Sequence, residues 1–244
     1  MRWPDGYGRR VLAEVDSTNA EAARIAGGLT GPEWILALRQ TAGRGRRGRP
    51  WADPAGNFSA TLAMRVEGAP QQAALRSFVA SLALYDAFVA VTARPESFAL
   101  KWPNDVLLNG GKVAGILLES PKPGLLAIGI GVNLAQAPEA AAVEERALRP
   151  VSLLSETGVA VTPEDFLTAL AAAFAAHEAS FVTYGFAPIR EAWLARAARL
   201  GEVITARTGK TETTGTFTDV DASGNLVLQT AKSRAAIAAA DVFF

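Results

Sequence analysis

Two stretches of the chain carry side chains suited to handling anions. Residues 43–51 read GRGRRGRPW, which sets Arg44, Arg46, Arg47 and Arg49 among Gly43, Gly45 and Gly48, with Trp51 closing the run. Arginine brings permanent charge and a planar fork of donors that matches phosphate and carboxylate. Glycine lets backbone amides approach an anion and takes dihedrals that other residues avoid. Trp51 offers a flat face to a purine or an arginine. Like charges packed this densely repel one another, so the loop is expected to be poorly ordered when empty and closed when filled. A solvated basic loop without a ligand is the plain alternative. The same letters spell G-x-G-x-x-G, but the dinucleotide fingerprint requires a helix next. Here WADPAGN and an alternating strand-like run follow, which excludes it.

Residues 101–105 read KWPND. A lysine at a strand end is a compact charge for a phosphate or carboxylate. Pro103 cannot donate to a ladder, so the chain is expected to leave the sheet there. Asn104 and Asp105 are oxygen donors of the kind Mg2+ accepts, with water and phosphate completing its shell. Pairing of Asp105 with Lys101, or a turn cap, is the structural alternative. Gly115 inside an apolar run marks a close approach by a ligand or another backbone.

These residues need elements to hold them. DSTNAEAARIAGG reads as a helix, with Thr18 and Glu21 as a capping box and Gly27-Gly28 as its end. Trp34 to Leu38 suits a strand, and FSATLAMRV alternates as a half-buried strand with Phe58, Ala60, Leu62, Met64 and Val66 on one face. Helical spacing runs from Gln71 to Val91. FALKW, DVLL, KVAGILLE and LLAIGIGVN follow as strands joined by hairpin turns at Asn109-Gly110-Gly111 and Lys122-Pro123-Gly124. Residues 136–150 read as a surface excursion. Thr162-Pro163-Glu164-Asp165 is a helix start, with the helix running to about Tyr184 and another around Ile189 to Leu200. From Gly201 short β-type runs alternate with turns, including Thr208-Gly209-Lys210. The predicted layout is an α+β domain over residues 1–200 and a small β domain over residues 201–244.

Composition narrows the chemistry. The chain has 244 residues, half of them hydrophobic, enough for a substantial core. Its 24 basic residues are balanced by 24 acidic ones, and dense basic charge is confined to the arginine loop. That argues against a nucleic-acid surface. With no cysteine, disulfides, thiolate metal sites and a cysteine nucleophile are excluded. The single histidine, His177, lies in an alanine-rich helical stretch and is expected to be structural. The N-terminus lacks an apolar signal region and no unbroken run of about 18 apolar residues occurs, so a cytoplasmic chain without a membrane span is expected.

DSTN at 16–19, QTAGRGRRGRPW at 40–51, KWPNDV at 101–106 with GKVAGILLE from 111, and GIGVN at 129–133 occur in this order. Together they resemble the biotin–protein ligases, also called biotin–[acetyl-CoA-carboxylase] ligases, over nearly the whole chain. The resemblance implies a mixed, mostly antiparallel sheet packed with helices, of the class II synthetase-like kind, plus a small SH3-like β-barrel at the C-terminus. It also implies ATP and biotin as substrates, Mg2+, a biotinyl-5′-AMP intermediate, and a lysine of a biotin carboxyl carrier protein as acceptor. Carried over by position, Lys101 and Arg46 are catalytic. Ser17, Thr18, Asn19 and Gln40 meet the biotin head group. Arg44, Gly45 and Arg46 wrap the biotin and its acyl phosphate, with Arg47 and Arg49 nearby and Gly43 in the same binding loop, and Trp51 covers the biotin tail or the adenine. Lys101 and Asn104 face the carboxylate and phosphate, Gly115 and Ile116 line the apolar part, Asn133 sits toward the adenine, and Asp105 is the candidate for holding Mg2+ through water.

Many members of that family begin with a DNA-binding winged helix-turn-helix. This chain reaches DSTN by residue 16, so a single-function ligase without DNA binding, monomeric or homodimeric, is expected. Ala240 stands where glycine is usual, which puts the geometry of the last strand in question. Two rivals remain at this stage. A lipoate–protein ligase shares the chemistry but usually carries arginines ahead of a Gly-Gly-Gly run, absent here. An RNA-binding module would leave Lys101, Asn104 and Asp105 unexplained.

Overall fold

In the computed structural model, residues 2–52, 54–138, 148–209 and 211–244 are described. The first element is β1 (Gly8–Leu12), an exposed strand whose GRRVL sequence carries no alternation that would announce it. Helix α1 (Thr18–Ile25) crosses from β1 to β2 (Glu33–Ala37), and the two strands pair in parallel. Every other ladder of the sheet is antiparallel. β3 (Phe58–Arg65), β4 (Phe98–Lys101), β5 (Asp105–Leu108), β6 (Gly111–Lys122) and β7 (Leu125–Val132) complete seven strands in the order β1-β2-β3-β7-β6-β5-β4.

Alternation along these strands assigns the two faces. Phe58, Ala60, Leu62 and Met64 of β3 join Ile128 and Ile130 of β7 in the main core. That core is closed by α3 (Arg76–Thr92) and α5 (Pro163–Tyr184). The residues in between face α1, where Ile35, Ala63 and Ala127 pack with Ala22 and Ala26 in a smaller cluster. β3 is therefore buried on both faces apart from Arg65, not half-buried as its alternation suggested. Ser59 and Thr61 look polar in sequence yet lie under α1 and the site described below.

The helix from Gln71 to Val91 is interrupted: α2 (Pro70–Ala74) precedes α3. The stretches Pro70–Thr92 and Pro163–Tyr184 are long and apolar enough by composition to cross a membrane, although neither is an unbroken apolar run. Here α3 and α5 pack on each other and bury Phe88, Phe166 and Phe174 completely. α5 starts as its sequence indicates, with the Thr162 hydroxyl accepting from Asp165 N. His177 pairs with Asp86 at 2.7 Å, joining α5 to α3. Of the segment expected to be a surface excursion, residues 139–147 lie outside the described residues. It rejoins the sheet where Lys112 bridges Pro150, and α4 (Leu153–Thr157) follows with a Ser152–Ser155 capping box.

After α6 (Phe186–Leu194), a second sheet forms from β8 (Val203–Thr208), β9 (Thr211–Val220), β10 (Leu226–Gln229), β11 (Arg234–Ile237) and β12 (Asp241–Phe243). It is antiparallel in the order β11-β10-β9-β8-β12. This is the small C-terminal β domain implied by resemblance as an SH3-like barrel; among the described residues no ladder joins β11 to β12. Lys210, in one expected turn, lies outside the described residues. The two parts share one core, with Ile204, Phe217, Leu228 and Val242 in the same cluster as the first sheet. Trp102 Nε1 donates to Gly224 O at 3.0 Å, and Arg190 of α6 grips Asp219 of β9 at 2.6 and 2.7 Å.

Gly224 is a hinge point of this docking. Its φ is +81°, and a Cβ there would lie 2.9 Å from Leu75 and 3.0 Å from Phe78. Gly158 has a similar φ of +75° but open space around it. Gly224→Ala should therefore cost more than the roughly 1–3 kcal/mol of dihedral strain expected for Gly158→Ala. Equal midpoint shifts in urea would show that the turn does not carry the docking.

Candidate functional site

The face of the sheet turned toward α1 is floored by small residues. Gly115 of β6 pairs with Gly131 of β7, and Leu117 pairs with Gly129. With no side chains at the three glycines, a cavity of about 530 Å³ opens above the strands. The glycines are required by what sits on them. A Cβ on Gly131 would come within 2.4 Å of the Trp51 indole, one on Gly115 within 3.3 Å, and one on Gly129 within 2.4 Å of Asn19 Oδ1. Trp51 thus lies flat on the Gly115–Gly131 pair.

The arginine loop reaches this position as a small hairpin. Arg44 bridges Pro50, Gly45 N donates to Arg49 O at 2.7 Å, and Trp51 N donates to Gly43 O at 2.9 Å. Its tip turns through Arg47 at φ 58° and Gly48 at φ 72°. The expected repulsion among the arginines is met inside the chain. Asp241 of β12 accepts from Arg47 at 2.6 Å and Arg49 at 3.3 Å, and Arg207 stands 3.6 Å away. Arg46 donates to Ala240 O at 3.3 Å and Asn104 Oδ1 at 3.4 Å. The last strand thus supplies an anion to the loop from within the chain. Ala240 is fully buried and absent from the positive-φ residues, so its side chain introduces no backbone strain there.

Strands β4 and β5 bring the charged end together. The chain leaves the sheet at Pro103, as expected: β4 ends at Lys101, and a tight turn with a cis Trp102–Pro103 peptide makes Lys101 and Asp105 register partners. Asn104 fixes the turn to β6, its Nδ2 donating to Ile116 O at 2.6 Å and its carbonyl accepting from Ile116 N at 2.9 Å. Asp105 sits 2.7 Å from Lys112 Nζ and 3.9 Å from Lys101 Nζ. Burial pushes its carboxyl up, but Lys112 and Lys101 outweigh burial and hold it below the usual carboxylate range. Burial pulls Lys101 below its ordinary value, with Asp105 opposing and Lys112 adding to the effect. Burial likewise pulls Arg46 down, against Asp241 and Asp105. Buried Lys101 and the partly buried Lys112 and Arg46 therefore surround one buried carboxylate, and an entering anion reduces the excess of positive charge.

Asp105 does not fit the Mg2+ role drawn from sequence. Its oxygens face two ammonium groups, and among the described residues no group of three His, Asp or Glu side chains could hold a metal.

At the opposite end the lining is uncharged. Ser17, Thr18 and Asn19 are buried at the start of α1. The predicted capping box is absent: Ser17 is the N-cap, with no side-chain cap hydrogen bond. Thr18 instead reaches Gln40 Oε1, through its amide at 2.9 Å and its hydroxyl at 3.1 Å. Thr61 Oγ1 lies 2.8 Å from Thr18 Oγ1 and 2.6 Å from Asn19 Oδ1. Asp16 stays outside, holding Ser17 N and Arg24.

Most of the sequence-derived residues therefore meet in one cavity: Ser17, Thr18, Asn19, Gln40, Arg44, Gly45, Arg46, Arg49, Trp51, Lys101, Asn104, Asp105, Gly115, Ile116 and Asn133 all line it. Gly43 and Arg47 do not; Gly43 is packed behind Trp51 O and Gln40, and Arg47 turns to Asp241. Ile116 borders the cavity but packs in the helix-side core. Asn133 is buried and donates to Val151 O at 3.0 Å, anchoring the chain after the excursion. Sequence reasoning missed Lys112, Leu117, Gly129, Gly131 and Asp241. Alternation from Gly115 would have found Leu117; nothing local to β12 announces Asp241.

Residues 12–134 match the biotin/lipoate A/B protein ligase family, and residues 200–244 match the biotin protein ligase C-terminal domain. The chain belongs to this family. It is 59% identical over 238 residues to the biotin–[acetyl-CoA-carboxylase] ligase of Paracoccus denitrificans, covering 96% of this chain and 99% of that protein. To the bifunctional ligase/repressor of Escherichia coli it is 30% identical over 231 residues, covering 92% and 70%. Among solved structures, biotin protein ligase from Aquifex aeolicus in complex with biotin and ATP superposes with a TM-score of 0.80 at 26% identity, covering 96% and 97%. The shared fold includes both sheets of this ligase-family chain.

The seating of Trp51 can be tested by a double-variant cycle. Gly131→Ala should destabilise by about 1–3 kcal/mol through overpacking, and Trp51→Ala should remove most of that penalty. Additive effects in denaturant would show that the indole does not rest on the glycine.

Proposed function

We infer that this chain is an ATP-dependent biotin–protein ligase, which activates biotin as biotinyl-5′-AMP and transfers it to a lysine of a biotin carboxyl carrier protein of acetyl-CoA carboxylase. One observation carries the choice of substrate. The cavity joins a buried, uncharged hydrogen-bonding end to a cationic end across an apolar glycine bed. The biotin ureido ring offers donors and an acceptor to Ser17, Thr18, Asn19 and Gln40, and its valeryl chain runs past Trp51, which covers Gly115 and Gly131, to place the carboxylate at Lys101. A lipoyl dithiolane brings no donors and acceptors of this kind to the polar end.

In the first step a biotin carboxylate oxygen attacks the α-phosphorus of ATP. The phosphorus–oxygen bond to the β-phosphate breaks, and pyrophosphate leaves. Two anions meet here, so Lys101, Lys112 and Arg46 offset their repulsion and the charge that develops, in a site already poor in water. Magnesium belongs to this reading as part of the Mg·ATP substrate, held by phosphate oxygens and water. In the second step the carrier lysine, as free amine, attacks the acyl carbon. The acyl carbon–oxygen bond breaks, AMP leaves, and the nitrogen gives up a proton. Trp51 and the loop clasped by Asp241 cover the anhydride between the steps.

Lys101→Ala, purified and folded, should lose at least about 10²-fold of biotin-dependent ATP–pyrophosphate exchange; wild-type exchange would remove Lys101 from the reaction. The affinity for biotin should also depend on pH. A carboxylate beside Lys101 raises its lowered pKa again, so binding takes up a proton between the free and bound values. Affinity should fall as pH rises through the free-state value, which lies below 10.5, and Lys101→Arg should flatten the profile. Calorimetric affinities constant up to pH 10.5 would contradict this.

A further inference from the structure

Glu119 of β6 lies outside the motif residues assigned to the site, beside a second, more open cavity it shares with Asn19 and Arg44. We propose that Glu119 is a positioning residue that sets the hydrogen-bond polarity of the buried end of the biotin pocket; this rests on the biotin reading above. The argument is a count of protons. Asn19 Nδ2 lies 2.7 Å from Glu119 Oε2. A carboxylate only accepts, so the nitrogen of Asn19 must face Glu119 and its oxygen must face Thr61. Thr61 Oγ1 is 2.6 Å from that oxygen and 2.8 Å from Thr18 Oγ1. Thr61 has one hydroxyl proton, and Asn19 Oδ1 takes it. Thr18 then spends its own proton on Thr61 or on Gln40 Oε1, which lies 3.1 Å away. Neither arrangement gives Thr18 Oγ1 a proton from the protein. It faces the cavity as an acceptor, matched to a ureido N–H of the ligand.

Glu119→Gln breaks the rule that fixes this order. The new amide can donate, Asn19 can turn over, and Thr61 can donate to Thr18, taking one of the two lone pairs on that oxygen and drawing it away from the ureido N–H. The Michaelis constant for biotin should rise about 10-fold in Glu119→Gln, with kcat and the Michaelis constant for ATP within about twofold, since one misdirected hydrogen bond is at stake. In a Thr61→Val background there is no hydroxyl to reverse, so adding Glu119→Gln should change the biotin constant by less than about twofold. An unchanged biotin constant in Glu119→Gln, or the same 10-fold rise in both backgrounds, would overturn the proposal. Absence of biotin binding by the wild-type protein in the same titrations would instead overturn the functional reading itself.

Discussion

Lys101 is a cation with almost no water around it, and the architecture of the site follows from keeping it charged. At about 4 Å and the effective dielectric typical of proteins, one opposite charge contributes on the order of 4 kcal/mol. Asp105 supplies that charge but shares it with Lys112, and Arg46 stands near enough to add repulsion. The cluster is left with an excess of positive charge. A carboxylate or phosphate entering the cavity restores what desolvation removed, which makes the site selective for anions before any shape is considered.

Three separate parts of the chain converge to build this excess. The β4–β5 turn makes Lys101 and Asp105 neighbours, β6 delivers Lys112 and ties down Asn104, and the second sheet reaches across with Asp241 and the Ala240 carbonyl to hold the arginine loop. The small C-terminal sheet is thus part of the site, not an appendage to it. Sheet alternation does the rest: Gly129 and Gly131 of β7 face the pocket and Thr61 of β3 backs Thr18 and Asn19, while Phe58, Ala60, Leu62 and Ile128 furnish the core.

How much of this the sequence discloses depends on whether a signal is local. The helix cap at Thr162, the hairpin turns and the order of the central strands follow from neighbouring residues. The arginine loop and KWPND declare anion chemistry by composition alone. What stays hidden is set by distant partners. Thr18 looks like a cap until Gln40 and Thr61 claim its hydroxyl, Asp105 looks like a metal ligand until Lys112 arrives from β6, and the loop looks unpartnered until Asp241 is placed beside it. β1 escapes notice because an exposed strand leaves no hydrophobic period.

The central claim is that a cavity with one neutral polar end and one cationic end activates biotin as an adenylate. Its most direct test is mass spectrometry of the protein after incubation with Mg·ATP and either biotin or lipoate. Biotinyl adenylate retained on the protein, with no lipoyl counterpart, is the expected result. A lipoyl adenylate in its place, or no adenylate on a folded protein, would contradict the account.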